Sequence, residues 1–350
     1  MTGRTRPILA LAAGFALASG TAGAQAEELF LYNWTNYTSP EVIEKFEEET
    51  GIRVVIDTYT SNDDLMARLQ AGGAGYDVAV PSDSYVQRLI EEDLLIPFDA
   101  TELENFANVM APHDAPFYDP ERMYSAPYML GTTGIAYDSA VIDGEELPHS
   151  WDVIFNPREE FQGEIAMLDN IDEVAYAAAF YIGAEDVCTE DPDEWQQIQD
   201  VLMAQRDHVK LYNSSGTHDA MIAGEVLMHQ MWNGAAHRAF SEKDTIRYLY
   251  PEEGVVFWMD NFVIPEGAQN VENAKKFINF MMSPEAAGLS SNYSGYMSAI
   301  RGADAYLNEE LQASPMVNMP EEYSERLTMP PPCGDRHVEL RDRVWTRLMQ

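Results

Sequence analysis

Between Glu28 and Val80 the chain alternates three strand-length apolar runs with two helical ones, and that order leaves few folds open. Glu28–Tyr32, Ile52–Ile56 and Tyr76–Val80 are short and rich in β-branched, leucine and aromatic residues. After the first run, Ser39 reads as a helix N-cap, Pro40 as the first helical residue, Val42, Ile43 and Phe46 as a buried stripe, and Gly51 as the stop. Leu65, Met66 and Leu69 mark a second helix before Gly72-Gly73. A β-α-β-α-β run of this kind predicts a parallel sheet with helices on its faces. Ligands of such sheets gather at the carboxyl ends of the strands. Two loops fall there, Asn33-Trp34-Thr35-Asn36-Tyr37 and Pro81-Ser82-Asp83-Ser84-Tyr85, both polar and aromatic.

A second α/β unit spans about 137 to 258. Its strand Ile165–Leu168 ends in Asp169-Asn170-Ile171-Asp172-Glu173, ahead of a helix over Val174–Ile182. Acidic residues suit the first turn of a helix, so capping accounts for one or two of these three carboxylates and leaves one free. The loop Asn213-Ser214-Ser215-Gly216 follows a strand at Val209–Tyr212, and Met231-Trp232-Asn233-Gly234 ends another. Two further segments concern both units. Pro127–Tyr137 reads as extended chain that crosses between lobes, with Gly131 and Gly134 as breaks, and Val255–Pro265 reads as one buried strand with a carboxylate, Asp260, in its middle. A charge in such a run costs several kcal/mol unless paired, and the nearest basic residues in sequence, Arg247 and Lys275, lie outside it. Two readings stay open at this point: Asp260 caps a turn or meets a distant arginine, or it forms with Trp258 a site for a cationic ligand.

The 350 residues, 46% of them hydrophobic, are long for one domain and predict two lobes. Residues 1–26 belong to neither. Arg4 and Arg6 precede an apolar run from Ile8 to Ala18, and Ala22-Gly23-Ala24 is a cleavage site, so this segment reads as a secretory signal peptide. With no cysteine after that site to accept a lipid and no later membrane-length apolar run, the expected product is soluble and periplasmic, without insertion in the membrane. A formal net charge of −38 disfavours nucleic acid and anionic membrane as partners and permits cationic ligands, although salt adaptation produces the same surface. Cys188 and Cys333 in an exported chain fit one disulfide, with two buried thiols as the alternative.

Taken singly, aromatic residues belong to the core more often than to a ligand box. Here Trp34, Tyr37, Tyr85, Trp232, Trp258 and Tyr296 all fall at strand ends or in loops, with acids beside them. Carboxylates among aromatics also describe a glycosidase, and paired tyrosines such as Tyr293 and Tyr296 a ferric-ion site. No nucleophile elbow, zinc-protease motif, phosphate loop or metal-spaced Cys/His set accompanies them.

Leu31-Tyr32-Asn33-Trp34-Thr35, Tyr76-Asp77-Val78-Ala79-Val80-Pro81-Ser82, Met231-Trp232-Asn233-Gly234, and Glu252-Glu253-Gly254 with Phe257-Trp258-Met259-Asp260 resemble, in order, the periplasmic spermidine/putrescine-binding proteins that feed ABC transporters. The resemblance implies a two-lobed α/β fold of the type II periplasmic binding-protein class with a ligand cleft between the lobes. One lobe would hold residues 27–136 and 259–304, the other 137–258 and 305–350, with hinges near 133–137, 258–262 and 300–304. It implies a monomer that holds a polyamine, needs no cofactor or metal, catalyses nothing and docks on a permease in the inner membrane. Trp34, Tyr37, Tyr85, Trp232, Trp258 and Tyr296 would be the walls; Asp169, Glu173 and Asp260 the anions; Ser82 and Ser214 would add hydroxyls, and Thr35 and Asn36 the rest of the first loop. Two departures bear on how many amines are recognised. Asn36 stands where the family usually carries an acid, and the family's C-terminal glutamine has no clear counterpart around Cys333. Another cationic or sugar-like solute on the same fold is the alternative.

Overall fold

A computed structural model describes residues 27–72 and 75–350. The expected signal peptide lies outside the described residues. Strands β1 (Glu28–Trp34), β2 (Arg53–Tyr59) and β3 (Val78–Ala79) form the expected parallel group, with Leu29 opposite Val54 and Leu31 opposite Val78. Helix α1 (Pro40–Thr50) begins and ends where its caps require: Ser39 Oγ accepts from Val42 N, and Gly51, at φ 72°, donates to the Glu47 carbonyl. Helix α2 (Asn62–Gln70) links β2 to β3, and α3 (Asp83–Glu91) follows β3.

The third strand is shorter than its apolar pattern predicts, and Asp77 supplies the reason. Its buried carboxylate accepts from the backbone N–H groups of Phe30 (2.9 Å), Gln269 (3.1 Å) and Asn270 (2.8 Å). A side chain thus takes the place of a ladder carbonyl at the start of the strand and ties it to the chain before Val271.

Two long buried strands join the halves. β4 (Ser125–Asp138) and β9 (Val255–Val263) run antiparallel from Ser125–Val263 to Thr133–Val256, with an irregularity between Pro127 and Leu130. β9 meets β3 at Val263–Ala79. From Thr133 onward β4 pairs with β7 (Met228–Trp232) and, from Ile135, also with β8 (Ile246–Leu249). β7 continues into β5 (Ile165–Met167) and β6 (Val209–Tyr212), parallel to each other. The order is therefore β2-β1-β3-β9-β4-β7-β5-β6, with β10 (Met297–Ser298) added to β4 and β11 (Leu327–Thr328) to β9. Burial on both faces explains why β9 reads as a nearly continuous apolar run instead of an alternating one.

Helices α4 (Asp152–Phe155), α5 (Ile171–Ile182), α6 (Pro192–Gln205), α7 (Thr217–Ile222) and α8 (Asn233–Glu242) accompany the second strand group. α9 (Val271–Met281) and α10 (Pro284–Ser294) return to the first group, where Phe277 packs on Phe46 and Phe262. α11 (Glu309–Ala313) leads into the tail, and α12 (Asp335–Leu348) docks on α5 and α6 by Leu340, Val344 and Leu348. A disulfide between Cys188 and Cys333 fastens the approach to α12 onto the loop after α5, as expected from the two cysteines.

Candidate functional site: an aromatic cleft with buried carboxylates

The loops after β1, β2 and β3 face those after β5, β6 and β7 across one cleft, floored by β9. Its empty volume is about 940 Å³, part of it open to solvent. Trp34, Thr35, Asn36, Tyr37, Ser82, Tyr85, Glu173, Ser214, Trp232, Trp258, Asp260 and Tyr296 all line it. Asp169 does not. It is exposed on a neighbouring depression, and only its backbone N–H reaches Ser214 Oγ, at 3.1 Å. Asn170 caps α5 by accepting from Glu173 N at 3.3 Å, and the residue before that cap is left outside the cleft. Asp169 is therefore a correction to the expected set of anions. Tyr293 is 40% exposed and off the cleft while Tyr296 is buried in it, so the two tyrosines do not make a paired site. Among the described residues, no group of three or more His, Cys, Asp or Glu side chains is placed to hold a metal ion.

Packing holds the aromatic walls edge to face. Trp34 and Trp232 stand 6.5 Å apart, and Tyr296 lies 5.1 Å from Trp258 and 5.4 Å from Tyr37. Each indole N–H is already committed: Trp34 to the Val80 carbonyl, Trp232 to Glu173 Oε1, and Trp258 to Thr133 Oγ1. What these rings have left to offer a ligand is π surface. Two glycines make the packing possible. A Cβ at Gly131 would overlap the Trp258 indole, and one at Gly234 would overlap the Tyr296 ring. Gly131 reads in the sequence only as a break in an extended run.

Asp260 accepts from Tyr37 Oη at 2.6 Å and from Ser82 Oγ at 2.8 Å, and among the described residues no cation pairs with it. Burial pushes its carboxyl up to about 7, against the pull of those two hydroxyls. The distant arginine is thereby ruled out as its partner among the described residues. Glu173 accepts from Thr133 Oγ1 at 3.0 Å and Trp232 Nε1 at 3.2 Å through one oxygen, while its Oε2 is buried without a partner. Its carboxyl is likewise pushed up to about 7 by burial, with Asp172 and Asp260 adding to the rise.

The three acids after β5 have thus divided their work differently from the expectation. Asn170, and not an acid, caps α5; Glu173 is the free carboxylate; Asp172 pairs with Arg341 of α12. The Tyr85 hydroxyl lies 2.7 Å from Asp63 Oδ1 and 3.1 Å from Asp172 Oδ2, and Arg341 Nη2 reaches Asp63 at 3.4 Å. Arg341 is buried, which by itself lowers its pKa, but its acid neighbours, Asp172 foremost, outweigh the burial and raise it.

Sequence reasoning missed Asp83, Asp172 and Arg238 as cleft residues. Asp83 is buried, accepts from Ser84 N (2.7 Å) and Met259 N (3.2 Å), and is pushed up to about 8 by burial. It reads in sequence as an ordinary first-turn acid of α3; its tie to β9 is tertiary.

A family model described as bacterial extracellular solute-binding protein matches residues 41–319. The chain is 34% identical over 305 residues to the spermidine/putrescine-binding periplasmic protein of Escherichia coli K12, covering 86% of each chain. It is 30% identical over 358 residues to the putrescine-binding periplasmic protein SpuD of Pseudomonas aeruginosa, covering 98% of this chain and 97% of that one. The solved structure of a putative spermidine/putrescine ABC transporter from Listeria monocytogenes superposes with a TM-score of 0.87 at 30% identity, over 93% of this chain and 99% of that one. These names describe solute binding, not catalysis. With the type II binding-protein fold around an aromatic and acidic cleft, the chain belongs to the bacterial extracellular solute-binding proteins.

Proposed function

We propose that this protein captures a polyamine, putrescine or spermidine, in the periplasm and presents it as a monomer to an ABC-transporter permease in the inner membrane. The observation that carries the reading is the pair Asp260 and Glu173: two buried carboxylates with no cation among the described residues, set between indole and phenol rings. A buried anion without a counter-ion is costly, and an alkylammonium ligand supplies the missing charge while its methylenes cover the rings. Trp34, Tyr37, Tyr85, Trp232, Trp258 and Tyr296 serve as walls, with Ser82, Ser214, Thr35 and Asn36 as polar contacts. The names of the relatives support the same ligand class and compartment. Among the described residues, no helix is long and apolar enough to cross a membrane.

A ligand buried between two walls needs them to part. The lobes in this reading are residues 27–136 with 259–304 and residues 137–258 with 305–350, and β4 and β9 carry two of the crossings. The change of partner along β4 at Thr133 supports that division. Calorimetry with putrescine, spermidine and a set of saccharides tests the function. Heat from the amines is expected; turnover of any compound, or heat from a saccharide alone, would overturn it. Scattering should show compaction on saturation with the amine, and an unchanged envelope would remove the hinge.

A further inference from the structure

Arg341 is where the two halves of the chain meet by charge. It enters from α12, only 5% exposed, and holds Asp172 of α5 and its own neighbour Asp342. Its Nη2 also reaches Asp63, in the first turn of α2, at 3.4 Å. With the lobes divided as proposed above, every other ion pair among the described residues has both partners in one lobe; Arg341–Asp63 alone joins the two. Tyr85 crosses at the same point. Its hydroxyl lies 2.7 Å from Asp63 on its own lobe and 3.1 Å from Asp172 on the other.

The cluster stands at the rim of the cleft. Asn62, Asn170 and Asp172 line both the cleft and the depression outside it, while Asp63 lines the depression and not the cleft. Each ligand carboxylate is nonetheless tied to it. Asp172 precedes Glu173 in α5, and Asn62, which precedes Asp63, donates to Ser82 Oγ at 3.1 Å, the hydroxyl that donates to Asp260 at 2.8 Å. Drawing the Asp260 and Glu173 walls together therefore carries Asp63 to Arg341. Parting them strands no charge: Arg341 keeps Asp172 and Asp342, and Asp63, half exposed to water, keeps the Tyr85 hydroxyl. An ion pair whose loss would leave a bare buried charge locks a cleft. One whose members each keep another partner can make and break with every cycle of binding and release.

We infer that Arg341 and Asp63 form a latch that closes behind the bound amine and sets how long it stays, without touching it. This rests on the polyamine and two-lobe readings and adds to them the contact that governs release. Because the pair exists only in the closed form, its energy is withdrawn on opening and falls on the dissociation rate, not on association. A half-exposed pair of this kind is worth about twofold to fivefold in that rate.

Stopped-flow tryptophan fluorescence on the mature protein, loaded with putrescine or with spermidine, measures both rates. Asp63→Asn removes the charge and keeps an oxygen for the Tyr85 hydroxyl, whereas Arg341→Gln also strips Asp172 of its cation, so Asp63→Asn is the informative variant. It should release the amine about twofold to fivefold faster, with association and the melting temperature of the empty protein unchanged. The difference from wild type should shrink as ionic strength rises. Asp169→Asn is the control: it deletes the same charge from the same depression, where among the described residues no cation pairs with Asp169, and it should leave release as in the wild type. An unchanged off-rate in Asp63→Asn, with the amine still bound, would overturn the latch alone. Equal acceleration in both variants would also overturn it, since the effect would then be the general field of the acids. So would a lower melting temperature without faster release, which would make the pair a brace of the fold. Binding of neither amine by the wild type is a different result: it removes the polyamine reading, and this inference with it.

Discussion

Two pairs of carboxylates, joined in sequence by the neighbours Asp172 and Glu173, have opposite fates. Asp63 and Asp172 come from opposite walls of the cleft and share Arg341, with the Tyr85 hydroxyl beside both. Asp260 and Glu173 have hydroxyl and indole donors but no cation among the described residues, and burial raises both. The first pair is settled by the chain itself. The second is left in a state that only something from outside can relieve, because neutral donors recover part of a carboxylate's lost hydration and none of its missing counter-charge. The difference marks where the protein is finished and where it waits for a ligand.

The comparison breaks most directly at Asp260. Asp260→Asn should weaken polyamine binding by roughly 2–5 kcal/mol, since it removes one side of a desolvated charge pair. Melting of the empty variant should show stability unchanged or higher, because a buried unpaired charge has gone. Unchanged affinity would return Asp260 to a purely structural part.

Next comes pH, where each pKa unit is worth about 1.4 kcal/mol. The folded-state pKa values of Asp260 and Glu173 lie near 7, above those of the unfolded chain, so between roughly pH 4 and 7 the folded protein holds protons that the unfolded one has released. Their contribution to the empty protein is therefore full below about pH 4 and lost as the pH rises through 7. Amine binding at pH 6 should expel protons, visible as a heat that depends on the buffer's ionisation enthalpy. A melting curve whose pH slope is the same in wild type and Asp260→Asn would contradict the assignment.

The self-satisfied side gives smaller effects, of another kind. Reducing Cys188–Cys333 should cost about 2–4 kcal/mol of stability by freeing the approach to the helix that carries Arg341, while leaving most amine affinity in place. Denaturant titration with and without reductant measures the first, calorimetry the second. Asp172→Asn should lower stability by about 1–3 kcal/mol, because Arg341 loses its closest acid, with less loss of affinity than Asp260→Asn. A larger affinity loss at Asp172 than at Asp260 would invert the comparison.

Much of this was legible in the chain. The parallel β1-β2-β3 group, the caps of α1, the extended run Pro127–Tyr137 and the burial of Val255–Val263 follow from local pattern, since periodicity, capping residues and glycine act within a few residues of themselves. Twelve of the thirteen expected cleft residues line it: those after β1, β3, β5, β6 and β7 because loops at the carboxyl ends of strands in an α/β sheet gather on one edge, Trp258 and Asp260 because β9 floors the cleft, and Tyr296 from the turn after α10. Asp169 failed for a local reason too, the capping role of Asn170, but the sequence offers four polar candidates for one cap and no way to choose between them.

Local pattern alone set the architecture and gathered rings and acids at one edge of the sheet. Which acids are free depended on contacts made in the folded chain. Asp172 and Asp260 look alike in sequence, each a carboxylate near an aromatic residue. One meets Arg341, 169 residues away, and the other meets Tyr37, 223 residues away, which carries no charge. Charge pairing is set by distance in space and by the dielectric of the surroundings, and neither quantity is carried by the spacing of residues along the chain.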